Sequence, residues 1–257
     1  MSTVYGIVSA GRKWQRKSDE IVLEALKLEA VIGVPQLFVK FDASRQLIAL
    51  LAKYVDDLVI ATKEVALMNA FREALSQELE IGSWKQVPEE MDVNGTNVLQ
   101  TAEMITVTAE NLVRSVDCVE LSPGRRKDIS SECTSVEVRK VRTMAGKLGY
   151  LGVSISPLAS FAASFIQQIV PKITVAGVKH SNGITRDVLK RSSQITYLRP
   201  SPEEVEQTRL VVFSDAGFPH NGLMKRVAQE DCLFGIAFGE KSGCKFHTLG
   251  WMSRKQR

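Results

Sequence analysis

Histidine and cysteine, the side chains on which most zinc sites depend, are scarce in this sequence. Its 257 residues include three histidines and four cysteines, and no two cysteines form a Cys-x-x-Cys pair. This spacing argues against a zinc site, and so few cysteines do not make a disulfide scaffold. Residues 1–10 are too few and too polar for the apolar region of a signal peptide. We therefore expect an intracellular protein of the cytoplasm or nucleus, not a secreted one.

Long uncharged runs are also rare. Residues 148–171 carry no charged side chain and would be long enough to cross a bilayer. The run contains four serines and two glutamines, however, and Pro157 interrupts it. This composition is more typical of a strand or loop followed by a buried helix, so we expect no membrane partner.

Charge of one sign does not dominate the chain, but it is unevenly distributed. The whole sequence carries +4, whereas residues 123–200 contain 13 lysines and arginines against four aspartates and glutamates, a local charge of +9. Such a basic segment is typical of a surface that contacts a phosphate backbone. It is equally compatible with a solvated surface that has no partner, and the charge pattern leaves both interpretations open.

Apolar periodicity predicts an α+β chain of helices and short antiparallel strands. Helices are predicted at residues 9–28, 64–79, 136–151 and 157–170, and strands at residues 37–41, 47–55, 58–61, 105–108, 210–213, 233–238 and 246–251. The last three strands should form a meander. Residues 122–131 are polar and basic, which predicts a linker and a domain boundary, and residues 177–198 are predicted to be weakly structured.

Two adjacent carboxylates are predicted to lie in a hairpin turn. Tyr54-Val55-Asp56-Asp57 is flanked on both sides by apolar runs. Like charges held side by side raise one pKa or require a cation, and hard oxygen ligands favour Mg²⁺ or Mn²⁺. The alternative interpretation is a solvent-exposed turn that the aspartates merely cap.

Six segments in order resemble the downstream part of a copia-type retrotransposon reverse transcriptase. They are Val4-Tyr5-Gly6-Ile7 with Gly11-Arg12-Lys13-Trp14, Leu37-Phe38-Val39-Lys40, Tyr54-Val55-Asp56-Asp57, Met144-Ala145-Gly146-Lys147-Leu148-Gly149-Tyr150-Leu151, Phe213-Ser214-Asp215-Ala216 and Trp251-Met252-Ser253-Arg254-Lys255-Gln256. They are similar, respectively, to that family's Leu-Tyr-Gly-Leu…Arg-x-Trp segment, Leu-Phe-Val-Lys strand, polymerase turn, Gly-x-Leu-x-Tyr-Leu helix and two ribonuclease H strands. Six segments in the family's order, spread over nearly the whole chain, are stronger evidence of the resemblance than any one segment alone.

The resemblance implies a fold and a set of functional residues. It implies a partial polymerase palm at residues 1–121, a helical and basic thumb and connection at 122–205, and the N-terminal part of a ribonuclease H-like domain, with a three-stranded sheet, at 206–257. It implies templated DNA synthesis on RNA and DNA from deoxynucleotides, with Asp56 and Asp57 as catalytic ligands of Mg²⁺ or Mn²⁺. Tyr54 and Val55 would lie near the primer end and the nucleotide, and Asp215 would be a ribonuclease H metal ligand.

The sequence also departs from the family pattern. The polymerase site needs a third aspartate from an earlier strand, and the aspartates before the turn, Asp19 and Asp42, lie in a predicted helix and a predicted turn. The glutamate that would join Asp215 is not found either. We therefore expect a truncated chain with weak or no polymerase activity alone. Two alternatives stay open: a non-catalytic nucleic-acid-binding remnant, and an unrelated α+β protein with chance motifs. The oligomeric state is left open.

Overall fold

The computed structural model describes residues 10–191, 194–217, 229–239 and 245–255, with mixed helices and antiparallel sheets as predicted. The chain falls into two units, Met1–Lys85 and Gln86–Arg257. This division lies at a different place from the predicted domain boundaries after residues 121 and 205. Those functional domains remain a prediction, because compactness alone does not assign them.

Two amphipathic helices form the helical layer of the first unit. Helix α1 (Ala10–Glu20) continues into a π-helical turn (Ile21–Ala25), and helix α2 (Val65–Glu78) follows the sheet. Both helices had been predicted from their apolar spacing. Each buries one apolar stripe, which includes Ile21 and Val22 on the first and Phe71 and Leu75 on the second.

A four-stranded antiparallel sheet forms the other layer of this unit, in the order β1-β2-β3-β4. The strands are β1 (Glu29–Ala30), β2 (Leu37–Phe41), β3 (Leu47–Tyr54) and β4 (Asp57–Thr62). Phe38, Leu51 and Ile60 lie opposite one another in register and pack on the helices. Burial alternates along β3, so the other face of the sheet remains more open to solvent.

The core of the second unit consists mainly of helices. They are α3 (Glu110–Ser115), α4 (Pro123–Lys127), α5 (Ser135–Ser154), α6 (Pro157–Ile169) with a 3-10 turn (Val170–Lys172), and α7 (Val175–Arg191). Thr134 and Glu137 form a capping box that begins α5, and Ser156 with Pro157 begins α6. Leu148 and Ile166 are fully buried in the shared core.

Helix α7 and the strand that follows it correct the prediction that residues 177–198 are weakly structured. The buried face of α7 includes Ser181, Asn182 and Thr185 beside Val178 and Val188. Small polar side chains therefore occupy positions where apolar ones would have made the helical period visible. Strand β8 (Gln194–Leu198) was missed as well, because its pairing partner is distant in sequence.

A second four-stranded sheet has the order β5-β6-β7-β8. Its other strands are β5 (Met91–Val93), β6 (Thr96–Gln100) and β7 (Met104–Thr108), of which β7 was predicted. Asn94 and Gly95 join β5 to β6, both with positive φ (51° and 71°). An Asn-Gly pair is a strong signal for a two-residue hairpin, and it could have revealed these strands from the sequence.

The predicted C-terminal meander is present as a three-stranded sheet in the order β11-β10-β9. Its strands are β9 (Arg209–Gly217), β10 (Gln229–Phe238) and β11 (Lys245–Lys255), and a short helix α8 (Pro202–Glu206) precedes them. Trp251 donates its indole N–H to the Gly152 carbonyl at 2.5 Å, which links β11 to α5.

Two local predictions need correction or refinement. The segment predicted as a linker contains α4 instead, because Ser122 caps it and Arg125 binds Glu137 through two hydrogen bonds of 3.1 and 2.9 Å. The uncharged run at residues 148–171 is the end of α5, a break and α6. Among the described residues no helix has both the length and the hydropathy that a membrane span requires.

Candidate metal-binding turn

The two aspartates lie at the end of the β3–β4 hairpin, as the sequence predicted. Tyr54, the last residue of β3, pairs with Asp57, the first residue of β4, so Val55 and Asp56 alone form the loop. The sheet register therefore brings both carboxylates to one end of the hairpin. The difference from the prediction is small: Asp57 belongs to the strand and not to the turn.

Val55 adopts a backbone conformation that β-branched residues rarely occupy. Its φ is +54°, in the left-handed region, whereas glycine or asparagine would be the usual residue at such a position. A conformation of this kind costs about 1–3 kcal/mol and persists only where surrounding contacts enforce it. Strain of this kind is concentrated at functional sites, so it supports a functional role for the turn.

Both carboxylates are exposed to solvent. Val55 is 60% exposed and Tyr54 47% exposed, and Asp56 and Asp57 are exposed as well. Exposure alternates along β4. Asp57 and Val59 therefore lie on the face of the sheet that is open to solvent, whereas Leu58 packs on the core beneath the helices. A cation and a polyanionic ligand could therefore reach the carboxylates without passing through the core.

Helix α1 contacts the end of β3 at two points, the Val55 carbonyl and the Lys53 ammonium. Trp14 donates its indole N–H to the carbonyl oxygen of Val55 at 2.6 Å. The Lys53 ammonium is buried, lies 2.9 Å from the Ser18 hydroxyl and forms an ion pair with Asp19. Burying a lysine is costly unless it is paired and hydrogen-bonded, and here it is both.

Asp19 and Asp42 are already engaged elsewhere. Asp19 pairs with Lys53, and an Asp42 carboxylate oxygen accepts the backbone N–H groups of Ser44 at 2.8 Å and Gln46 at 2.9 Å. Within the described residues no three histidine, cysteine, aspartate or glutamate side chains are grouped closely enough to hold a metal ion. The turn therefore offers two carboxylates. This donor set suits Mg²⁺, which often binds one or two carboxylates together with water and substrate phosphates.

Asp215 lies far along the chain from the turn, in strand β9. Its backbone is paired with Asp231 of β10 in the C-terminal sheet. The side chains of residues 214–217 and 229–231 lie outside the part of the chain that the structure describes. The role of Asp215 as a metal ligand thus remains a prediction. Residues 4–7 and 256 of the resemblance segments also lie outside the described residues.

The predicted basic segment presents many of its charges to solvent in the second unit. Arg139, Lys140 and Arg142 are exposed on α5, and α7 and the turn before it expose five more: Lys172, Lys179, Arg186, Lys190 and Arg191. A groove of about 380 Å³ lies beside Arg142, lined also by Gly146, Gln167 and Pro171. Arg125 differs, because its guanidinium is held by Glu137 and Ser131.

Sequence reasoning missed the supporting roles of Trp14 and Lys53. Trp14 lies in one of the resemblance segments, but nothing in the sequence pairs it with the turn. Lys53 is the single charged residue in the apolar run 47–55 and occupies an inward-facing position of β3. A charge at an inward-facing strand position is a usable signal, because such a group must find a buried partner.

The fold and the turn define a mixed α+β protein with an acidic hairpin suited to divalent cations. Comparison with protein families adds that residues 2–124 match the model described as "Reverse transcriptase (RNA-dependent DNA polymerase)". The match includes the turn and confirms the reverse transcriptase resemblance over that part of the chain. No curated protein matches the sequence.

Proposed function

We propose that the chain is a fragment of a copia-type retrotransposon RNA-directed DNA polymerase, with its palm turn at Tyr54-Val55-Asp56-Asp57. One observation carries the proposal: within a stretch that matches a reverse transcriptase model, two carboxylates lie at the end of a hairpin whose turn is strained. A β-branched residue in the left-handed region costs free energy, and strained residues of this kind cluster at active sites and ligand-binding sites.

Each residue of the turn has a proposed role. Asp56 and Asp57 hold a divalent cation, Mg²⁺ or Mn²⁺, and Tyr54 and Val55 lie near the primer end and the incoming deoxynucleotide. When bound, the ions would promote deprotonation of the attacking hydroxyl and stabilise the leaving pyrophosphate. RNA and DNA template–primers are the proposed partners, and the proposed location is intracellular, in the cytoplasm or nucleus.

We expect little or no primer extension by this chain alone. Two exposed carboxylates provide less charge and a less defined geometry than three would, and metal affinity depends on both. The measurement is extension of oligo(dT) on poly(rA) with Mg²⁺ or Mn²⁺, alongside Mn²⁺ binding followed by electron paramagnetic resonance.

The variant that tests the site is the double substitution Asp56→Asn, Asp57→Asn. It should abolish Mn²⁺ binding, whereas the control Asp187→Asn, on the exposed side of α7, should not. Mn²⁺ binding that is the same in the double variant would refute the proposed site. Robust extension that disappears in the double variant would instead refute the expected inactivity and support a complete polymerase site.

A second candidate function is binding of nucleic acid without catalysis. The exposed lysines and arginines of α5 and α7 favour it, because phosphate contacts release counterions and make binding strongly dependent on salt. The test is binding to an RNA–DNA hybrid over a range of salt concentrations. Replacing Arg139, Arg142 and Lys179 by glutamine should lower the salt slope by about two to three, since each phosphate contact contributes about 0.9. An unchanged slope would exclude this surface.

The C-terminal sheet is proposed to be the N-terminal part of a ribonuclease H-like domain. Support comes from the antiparallel order of β9, β10 and β11, and from the positions of the two resemblance segments on β9 and β11. On this proposal Asp215 is a carboxylate of a second Mg²⁺ or Mn²⁺ site. The helical region between residues 122 and 205 is then the thumb and connection.

A further inference from the structure

The α1 anchor, defined as Trp14, Gln15, Ser18 and Asp19, holds the end of strand β3 from one side. Trp14 reaches the Val55 carbonyl at 2.6 Å, and the other three surround the Lys53 ammonium. Trp14 and Ser18 are four residues apart on α1, as are Gln15 and Asp19, so they belong to one side of the helix. Lys53 and Val55 are two residues apart on the chain.

We propose that Trp14 is a positioning residue for the acidic turn, with Lys53 as the second point of attachment. Trp14 keeps the Val55–Asp56 peptide in the orientation that its left-handed φ requires. Because that peptide joins the turn to the first aspartate, its orientation sets the direction of the Asp56 side chain. The metal part of this inference rests on the proposed function of the turn.

Strain and hydrogen bonding together support this assignment. Val55 is 60% exposed, so close packing around its side chain cannot enforce its conformation. The hydrogen bond to its carbonyl can, and its donor is fixed in turn by the fold of α1. Lys53 holds the same strand end in place, because its buried ammonium binds the Ser18 hydroxyl and Asp19. A turn attached twice to a helix keeps a strained conformation that an isolated hairpin would relax.

The chain offers a matched pair of tryptophans for the test. Trp14→Phe removes the indole N–H and keeps an aromatic ring, and Trp84→Phe makes the same change elsewhere in the first unit. Trp84 packs on that unit's core. The guanidinium carbon of Arg72 lies over the Trp84 ring, 5.2 Å from the ring centroid. Thermal melting of both variants shows whether each still folds. The full chain is used throughout.

The first measurement reports on the peptide itself. In a ¹⁵N-labelled chain, the amide of Asp56 belongs to the peptide whose oxygen accepts the Trp14 hydrogen bond. Trp14→Phe should shift that amide resonance and Trp84→Phe should not. In the wild-type chain the Trp14 indole N–H should exchange slowly with solvent, which tests the hydrogen bond even if the variant does not fold. An unshifted Asp56 amide or a rapidly exchanging indole N–H would overturn the proposal.

The second measurement reports on the metal site. Mn²⁺ affinity, followed by electron paramagnetic resonance, should fall about three- to tenfold in Trp14→Phe, the range that one hydrogen bond to a site commonly accounts for. It should remain within about twofold of wild type in Trp84→Phe. Equal losses in both variants, or no loss in Trp14→Phe, would refute the positioning role. Wild-type protein that binds no Mn²⁺ would refute the proposed function and the metal part of this inference, while the Asp56 amide would still decide whether Trp14 sets the turn.

Discussion

Gly152 of α5 lies against the backbone of α6, and replacing it with alanine should destabilise the second unit. A Cβ at this position would lie 2.6 Å from the backbone Cα and N of Ser160 and 3.0 Å from its Cβ. Backbone atoms cannot rotate away as a flexible side chain can, so the two helices would have to separate. Overpacking of this kind costs about 1–3 kcal/mol. The higher helix propensity of alanine offsets up to about 1 kcal/mol of this loss in the free energy of unfolding, relative to glycine.

We therefore expect Gly152→Ala to lower the free energy of unfolding by about 1–2 kcal/mol, close to the difference between these terms. In a domain of this size that corresponds to a fall in Tm of about 2–8 °C. The control is Gly146→Ala in the same helix, where a Cβ would meet nothing within 4 Å. It should raise stability by about 0.5–1 kcal/mol. Thermal and urea unfolding measure both variants. A Gly152→Ala chain as stable as wild type would refute the close helix contact.

Further predictions concern polar contacts of the second unit. The Asn182 amide donates to the Val119 carbonyl at 2.8 Å and accepts its N–H at 2.9 Å. Asn182→Ala should cost about 2–3 kcal/mol in urea unfolding by leaving both backbone groups unpaired. The control Asn111→Ala, at an exposed position of α3, should cost less than about 0.5 kcal/mol. Arg125 lowers the pKa of Glu137 from 4.5 to about 2, with Thr134 contributing. The charged carboxylate therefore stabilises the fold above about pH 4.5, and this stabilisation is lost as the pH falls toward 2. Glu137→Gln, which keeps the capping box, should cost about 1–2 kcal/mol at pH 7 after allowance for solvent screening. The difference should shrink by pH 3, and a pH-independent difference would contradict the ion pair.

Local patterns in the sequence predicted much of the first unit. The runs at residues 37–41 and 47–55 became β2 and β3 nearly residue for residue, and the aspartates lie at the predicted hairpin end. These predictions succeeded because apolar residues recur every second position in a half-buried strand and every three to four positions in an amphipathic helix. Both patterns are visible within a short stretch of sequence. The family match covers the same region, so the candidate turn could be located without a structure.

The misses have two other physical causes, which are polar side chains on a buried face and partners distant in sequence. Helix α7 buries Ser181, Asn182 and Thr185, and their polarity hid its period. Strand β8 pairs with β7 about 90 residues away, and no local signal carries that pairing. The sequence predicted that Arg125 lies in a polar linker, whereas its guanidinium binds Glu137. The partner is 12 residues away, so a short stretch of sequence does not reveal the pair.

The amino-acid order by itself determined the strands β2, β3 and β4, several of the helices, and the position of two adjacent carboxylates at the end of one hairpin. Only the tertiary structure decided what holds that hairpin. The Trp14 hydrogen bond to Val55 spans 41 residues and the Lys53–Asp19 pair spans 34. Contacts of this length exist only after the helix packs on the sheet, because packing is what brings residues distant in sequence within reach of a hydrogen bond.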